Sequence, residues 1–345
     1  MPQAIYVKSN SHNPWHNLAL EDYLMRNMPD KNAAVLYLWQ NQNTVVIGRN
    51  QNAWAECKTA LLEEEGGRLA RRTTGGGAVF HDLGNLNFSI ILPENKFNLD
   101  DTFDIVLKAV QAAGINAKRS GRNDILTEGA KFSGNAFRTA YGFGLHHGTL
   151  LVSSEYERVG RYLTVSNAKL ASKGVQSVRS RIINLCTVKP DITITELEGK
   201  MKQAFAEYIE NNSAEDETWE FSEISDLNFA DDEGYQALED HFSSWDWRYG
   251  ESIKFDTEIE TRFDWGIVRI GLNVKNGAVT DARFYSDALD SDLIAAMPDL
   301  LTGIRFHSRD LIDAMRGSKL QSGGFVTARS KMLDDIADWL VEQGW

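Results

Sequence analysis

The sequence predicts an α/β (α+β) chain in two parts, a mixed sheet with helices packed on it over residues 1–246 and a smaller α+β domain over 251–345. Three observations lead there. Short β-rich runs recur among helical repeats as far as Asn211, an aromatic-rich break follows at Phe242 to Glu251, and the pattern then restarts as two strands followed by helices. At ~150 residues per domain, 345 residues suggest about two domains, and 42% hydrophobic residues suffice for a core in each.

The elements follow in order. Asn13-Pro14 offers a capping side chain and a proline at the first helical position, and Trp15, Leu18, Ala19 and Tyr23 recur at helical spacing to about Met28. Val35–Trp39 and Thr44–Ile47 read as a hairpin across the polar turn 40–43. Alternation marks further strands at Ala78–Phe80, Leu86–Ile90, Lys131–Phe137 and Gly148–Val152, with a helix from Thr102 to Ala113 stopped by Gly114. Helical patterns return at Ser154–Leu163, Val165–Lys173 and Thr193–Asn211. Beyond the break, Ile267–Val274 and Ala278–Tyr285 flank an Asn276-Gly277 turn. Helices are expected at Ser291–Leu301, Ser308–Met315 and Thr327–Gln343.

Composition narrows the function. No apolar run approaches the ~20 residues that cross a bilayer, and the first thirty residues carry charges where a secretory signal needs an apolar stretch. The chain is expected to start as it is made and to act in the cytoplasm, as a monomer, with no membrane partner. A net charge of -13 argues against nucleic acid, whose phosphates demand clustered cations. The charge is uneven, however. Asp191 to Asp240 holds sixteen acids against Lys200 and Lys202, whereas Lys108 to Lys189 holds thirteen cations against four acids. The acidic window reads as a solvated face. The basic stretch sits among Gly, Ser and Asn, a composition suited to anions.

The strongest local signal is Arg71-Arg-Thr-Thr-Gly-Gly-Gly-Ala-Val-Phe-His-Asp82. Consecutive glycines let main-chain N–H groups approach a ligand, and two arginines add fixed positive charge, which suits a polyphosphate or a carboxylate. It is neither a Walker loop nor a dinucleotide fingerprint, because no Gly-Lys-Ser/Thr follows and Ala78–Phe80 reads as a strand. Residues alone leave open a plain tight turn. A second cluster combines Gly121-Arg-Asn-Asp124, Lys131-Phe-Ser-Gly134, Arg138 and His146-His147-Gly148. Lys131 can project into a cleft with Ser133 on the same face, or simply into solvent. Adjacent histidines on a strand face opposite ways and have no His or Cys partner at ligand spacing, so zinc is rejected.

With these segments in order, joined by Asn13-Pro-Trp-His-Asn-Leu-Ala-Leu-Glu21, Thr44-Val-Val-Ile-Gly-Arg-Asn-Gln51, His146-His-Gly-Thr-Leu150 and Lys173-Gly-Val-Gln-Ser-Val-Arg-Ser-Arg181, the chain resembles the lipoate-protein ligases. The resemblance is closest over the first part and looser at the end; Thr73-Thr74 is a mild departure. It implies the biotin/lipoate ligase type of α/β catalytic domain, related to class II aminoacyl-tRNA synthetases, with a small C-terminal α+β accessory domain that reorients in catalysis. It further implies activation of lipoate by Mg-ATP to lipoyl-AMP and pyrophosphate. The lipoyl group then passes to a lysine of apo lipoyl domains, those of 2-oxoacid dehydrogenase E2 subunits and the glycine cleavage H protein. Octanoate is a possible alternative substrate.

By that resemblance Lys131 is the catalytic residue, touching carboxylate and phosphate. ATP is expected at Arg72, Gly77, Ala78, Val79, Phe80, Asn123, Asp124 and Lys131, with Mg²⁺ on Asp124. Lipoate is expected against Leu18, Val45, Arg72, Thr74, His81, Lys131, Ser133, Gly134, His147 and Gly148. The basic stretch would face both ATP and an acidic acceptor. Two other readings share the pocket: a transferase that forms a thioester on Cys57 or Cys186 without ATP, and a noncatalytic lipoate-binding module, which the intact Lys131 motif disfavours.

Overall fold

Strand β1 (Gln3–Lys8) and strand β2 (Ala34–Trp39) begin the main sheet, and all six residues of β2 are buried. A strand buried on both faces must lie inside a covered sheet. Its side chains divide by parity: Ala34, Leu36 and Leu38 enter one core, and Val35, Tyr37 and Trp39 enter another. The chain is described here from a computed structural model, which covers residues 1–164, 182–213, 218–249, 256–322, 324 and 327–343.

The remaining strands are β3 (Thr44–Ile47), β4 (Arg68–Arg71), β5 (Val79–His81), β6 (Asn85–Pro93), β7 (Lys118–Ser120), β8 (Asp124–Thr127), β9 (Ala130–Ala140), β10 (Phe143–Leu151), β11 (Glu220–Ser225), β12 (Thr257–Phe263), β13 (Gly266–Lys275) and β14 (Ala278–Ser286). Eight of them form a mixed sheet in the order β11-β1-β2-β6-β10-β9-β8-β7. Helices Leu99–Ala112 and Ile194–Asn211 cover one face, and Pro14–Arg26 and Glu233–Ser243 cover the other. A small sheet, β4-β3-β5, packs against the Tyr156–Tyr162 helix through Val45, Leu69, Phe80 and Tyr162. The third sheet, β12-β13-β14, has its own core with helices Ser291–Leu301, Ser308–Arg316 and Arg329–Glu342. Among the described residues no helix is long and apolar enough to cross a membrane.

Three expectations need correction. Strands β2 and β3 are not a hairpin, because they belong to different sheets. Within the polar segment between them Asn41 is fully buried, accepts from Asn17 and bonds the His81 ring, which ties the passage from one sheet to the other. In the last part a third strand, β12, precedes the two expected ones. The break after Phe242 continues as a short helix, Trp245–Tyr249, fixed to the first part. Arg71 Nε donates to the Trp247 carbonyl (2.8 Å), Trp247 Nε1 donates to the Arg71 carbonyl (2.9 Å), and Arg71 Nη2 reaches the Arg248 carbonyl (2.9 Å). A boundary at 246 would cut through this lock. The expected helix Val165–Lys173 and the segment Lys173 to Arg181 lie outside the described residues.

Candidate active site

The floor of the site runs across four neighbouring strands. Trp39 on β2 pairs with Asn87 on β6, Asn87 pairs with Thr149 on β10, and the Gly134 N–H on β9 donates to Thr149 Oγ1 (3.2 Å). At ~4.8 Å per strand this row spans ~14 Å from β9 to β2. Lys131 stands at the β9 end; Leu18, Val46 and His81 close around the β2 end, and all line one cavity. Its wall is the loop Gly76–Val79.

Local sequence explains how Lys131 gets there. Residues 131 and 133 would share a face of a regular strand, but β9 is bulged opposite β8: Ile125 pairs with Ser133 and Leu126 with Lys131, leaving Phe132 extra. Phe132 drops into the core and Ser133 turns from the cavity, fully buried, to accept from Asn135 Nδ2 (3.2 Å). Lys131 lies instead over Gly134, where a Cβ would stand 2.9 Å from its Nζ. The side chain is one-third exposed and its ammonium pairs with Asp124 at 2.6 Å. Asn123 lines the cavity beside it, with its amide donating to the Asn135 carbonyl (2.9 Å).

Arg72 is almost fully buried and faces its own loop. Its guanidinium donates to Thr74 Oγ1 and to the carbonyls of Val46, Gly75 and Gly77 at 2.7–3.3 Å. Burial pulls its pKa down to about 10, partly offset by Glu21, so it stays cationic near neutrality. The glycine-rich loop is therefore shaped from within by a buried cation, while Arg71 holds the carbonyls of Gly48, Arg49 and Gln51 in the neighbouring turn after β3. The Arg72 guanidinium thus bonds its own loop, and the side chain also lines the cavity.

Beside it runs a buried polar chain. Ser89 Oγ donates to Glu21 (2.5 Å), His147 Nδ1 meets the same carboxylate at 2.8 Å, and His147 Nε2 lies 2.8 Å from Thr74 Oγ1. Thr74 is thus behind the lining, holding His147 in place. His146 faces the other way, in a nest of Phe88, Phe103 and Phe137, and burial holds its ring well below the usual imidazole range. His81 is likewise pushed down, to about 3, by burial and then by Arg72 and His147.

Of the expected residues, the structure gathers Leu18, Arg72, Gly77, Ala78, Val79, His81, Asn123, Lys131, Gly134, His147 and Gly148 around the cavity. It turns Val45 and Phe80 away, into the core with Leu69 and Tyr162, because alternation on β3 and β5 presents Val46, Val79 and His81 instead. Asp124 reaches the site only through Lys131. Sequence reasoning missed Trp39, Val46, Asn87, Asn135, Ala136 and Thr149. One signal was available: in β6 the residues between Leu86, Phe88 and Ile90 are Asn87 and Ser89, polar yet fully buried, as on a face that lines a site.

The third sheet also reaches the loop. The Gly76 N–H donates to the Ala288 carbonyl (3.1 Å), Asn50 Nδ2 to the Ser291 carbonyl (2.7 Å), the Ser286 N–H to the Asn50 carbonyl (2.8 Å), and Arg49 pairs with Asp292.

Comparison with known proteins places this arrangement. A family profile described as Lipoyl protein ligase A/B catalytic domain matches residues 13–206, and one described as Bacterial lipoate protein ligase C-terminus matches 252–340. Lipoate-protein ligase A of Psychrobacter cryohalolentis is 38% identical over 336 residues, covering 97% of each chain. The crystal structure of P. falciparum LipL1 in complex with lipoate superposes with a TM-score of 0.83 at 30% identity, covering 99% of this chain and 100% of that one. A lipoate-protein ligase A bound with ATP shares the fold at a TM-score of 0.59 and 24% identity, over 72% of this chain and 99% of that one. By profile match, relatives and fold alike, the chain belongs to the lipoate-protein ligase family.

Proposed function

We propose that this chain joins lipoate to protein in two steps at the Lys131 cavity. In the first, a lipoate carboxylate oxygen attacks the α-phosphorus of ATP and pyrophosphate leaves. In the second, a lysine amine of an acceptor lipoyl domain attacks the acyl carbon of lipoyl-AMP and AMP leaves. The observation that carries the reading is the position of Lys131. Its ammonium stands where a cavity lined by Leu18, Trp39, Val46 and Ala136 opens toward Gly77 and Asn123, so an apolar chain can lie inside while its carboxylate meets both cation and nucleotide. Two anions brought together need such a charge, which gains strength as negative charge builds in the transition state.

The Asp124 carboxylate already holds Lys131 at 2.6 Å and is part-exposed, which keeps the ammonium aimed at the opening. It also fits a magnesium ion carried by the nucleotide, since that ion takes one or two carboxylates together with phosphate oxygens and waters. Bound there, magnesium would neutralise phosphate charge; among the described residues no cluster of three His, Cys, Asp or Glu offers it a cage. The first part, to Tyr249, is read as the catalytic domain and residues 256–343 as the accessory domain. The acceptors proposed are the lipoyl domains of 2-oxoacid dehydrogenases and of the H protein.

Support for ATP and lipoate comes from the relatives named above, and the cysteine route is disfavoured because burial and then Glu63 push the Cys57 thiol up to about 12. Mixing the protein with lipoate, ATP and Mg²⁺ and weighing the products should give lipoyl-AMP and pyrophosphate before any acceptor is added. Acyl transfer to an apo lipoyl domain without ATP would overturn the reading.

A further inference from the structure

Two donors at the remote end of the cavity are left with nothing to bond. Among the described residues His81 Nε2 and Asn87 Nδ2 are buried atoms without a hydrogen-bond partner, on side chains 3% and 1% exposed that both line the cavity. Asn87 lies two strands from Lys131 along the floor, ~10 Å at ordinary strand spacing, and the His81 ring packs edge-on against Trp39 one strand farther (6.2 Å).

The proton on His81 can be assigned from its neighbours. Asn17 Nδ2 donates to the carbonyls of Ser11 and Gln40, which can only accept, so the orientation of the Asn17 amide is fixed. The same amino group, its two hydrogens shared among three acceptors, faces Asn41 at 2.9 Å; a second amino group there would repel it, so Asn41 presents Oδ1 and turns Nδ2 toward His81 Nδ1 (3.2 Å). Nδ1 must then accept, and the proton of the neutral ring resides on Nε2, the nitrogen without a partner. Asn87 Oδ1 accepts from Asn85 Nδ2 (2.9 Å), which leaves its own N–H₂ group unbonded. A buried donor with no acceptor is costly, and a site that keeps one recognises a ligand bearing an acceptor.

We propose that His81 and Asn87 are specificity residues for the far end of the acid, donating hydrogen bonds to a tail that carries sulfur and so favouring lipoate's dithiolane ring over the hydrocarbon end of octanoate. The proposal rests on the adenylation reading above. A disulfide or thioether sulfur is a weak acceptor but an acceptor nonetheless, whereas a methylene leaves both donors buried and unpaired.

The test compares kcat/KM for acid-dependent pyrophosphate release with lipoate, octanoate, and an octanoate analogue with sulfur in place of one tail methylene. With the wild-type protein the sulfur analogue should exceed octanoate about five- to tenfold, in line with one or two weak hydrogen bonds. His81→Leu and Asn87→Leu should each lower the lipoate-to-octanoate ratio by a comparable factor. His81→Gln, which can place an N–H near the same point, should restore most of it. Equal values for octanoate and its sulfur analogue in the wild-type protein, or an unchanged ratio in the leucine variants, would overturn the proposal. Pyrophosphate release with none of the acids would instead overturn the adenylation reading, and this proposal with it.

Discussion

Gly75 and Ala288 meet with no room for a side chain between them: a Cβ on Gly75 would stand 2.1 Å from the Ala288 carbonyl oxygen. Next to it, that same oxygen accepts the N–H of Gly76, whose φ of +92° few other residues tolerate. The glycine-rich loop thus touches the cavity on one side and the segment before the Ser291–Leu301 helix on the other.

Gly75→Ala is expected to push that segment off the loop. Amide exchange at Gly76 should quicken by an order of magnitude or more, as follows from losing an ordered bond of ~1.5 kcal/mol. Exchange in β2 should stay as in the parent protein, because the main sheet is untouched. Unaltered protection at Gly76 would show that the loop is held by Arg72 alone.

Lys131→Ala should lower the rate of lipoyl-AMP formation by ~100–1,000-fold, the usual loss when a transition-state charge stabiliser is removed. The variant should fold, since the side chain is one-third exposed and its removal leaves the part-exposed Asp124 open to solvent. Stopped-flow or discontinuous assay of pyrophosphate decides it; a rate near that of the parent protein would remove Lys131 from the chemistry.

Cys57→Ala combined with Cys186→Ser should keep most transfer activity. Cys57 is buried with Leu62 and Tyr162 in the small-sheet core, and its raised pKa leaves almost no thiolate at neutral pH. The cost should fall on stability, with a lower Tm from the small space left at Cys57. Loss of lipoylation in a folded double variant would restore the thioester route.

Stability should fall as the solution is acidified from pH 7 to 5. His81 and His146 resist protonation in the folded chain, yet bind protons near pH 6.5 once unfolded. The unfolded state therefore takes up more protons, and each ring contributes a slope approaching ~1.4 kcal/mol per pH unit below 6.5, until the folded pKa is reached. For His81 that limit is about 3. Urea midpoints across this range should show the slope, and His146→Phe should halve it; a flat profile would contradict the burial of both rings.

Much of this molecule is written in local patterns. The Asn13-Pro14 helix start, the β6 and β10 alternation and the Asn276-Gly277 turn each follow from neighbours a few residues apart, and each is present. What escapes such patterns depends on distant partners. Strand β1 earns its place by parallel pairing with β11, more than two hundred residues away, and the bulge that lifts Lys131 over Gly134 exists only against β8. The basic stretch is partly offset by partners that local pattern does not show. Arg119, Lys131, Arg138, Arg161 and Lys189 pair with Asp100, Asp124, Asp22, Glu65 and Glu196, so the field they present is weaker than their number implies. In the site, residue types were legible but facing was not: Val46 lines the cavity where Val45 was expected, one step along the same strand.

The reciprocal bonds between Arg71 and Trp247 bear on where this polypeptide can be divided. A gene fragment ending at codon 246 would strip two main-chain acceptors from the buried Arg71 guanidinium and an indole donor from the Arg71 carbonyl, and would remove the aromatic packing of Trp247 on Phe242 and His241. One ending at Tyr249 would carry its own closing piece, including the Tyr249 hydroxyl bond to Glu63. Anyone wishing to express the two parts separately and recombine them would therefore place the cut after this helix, so that the stopper travels with the vessel it seals.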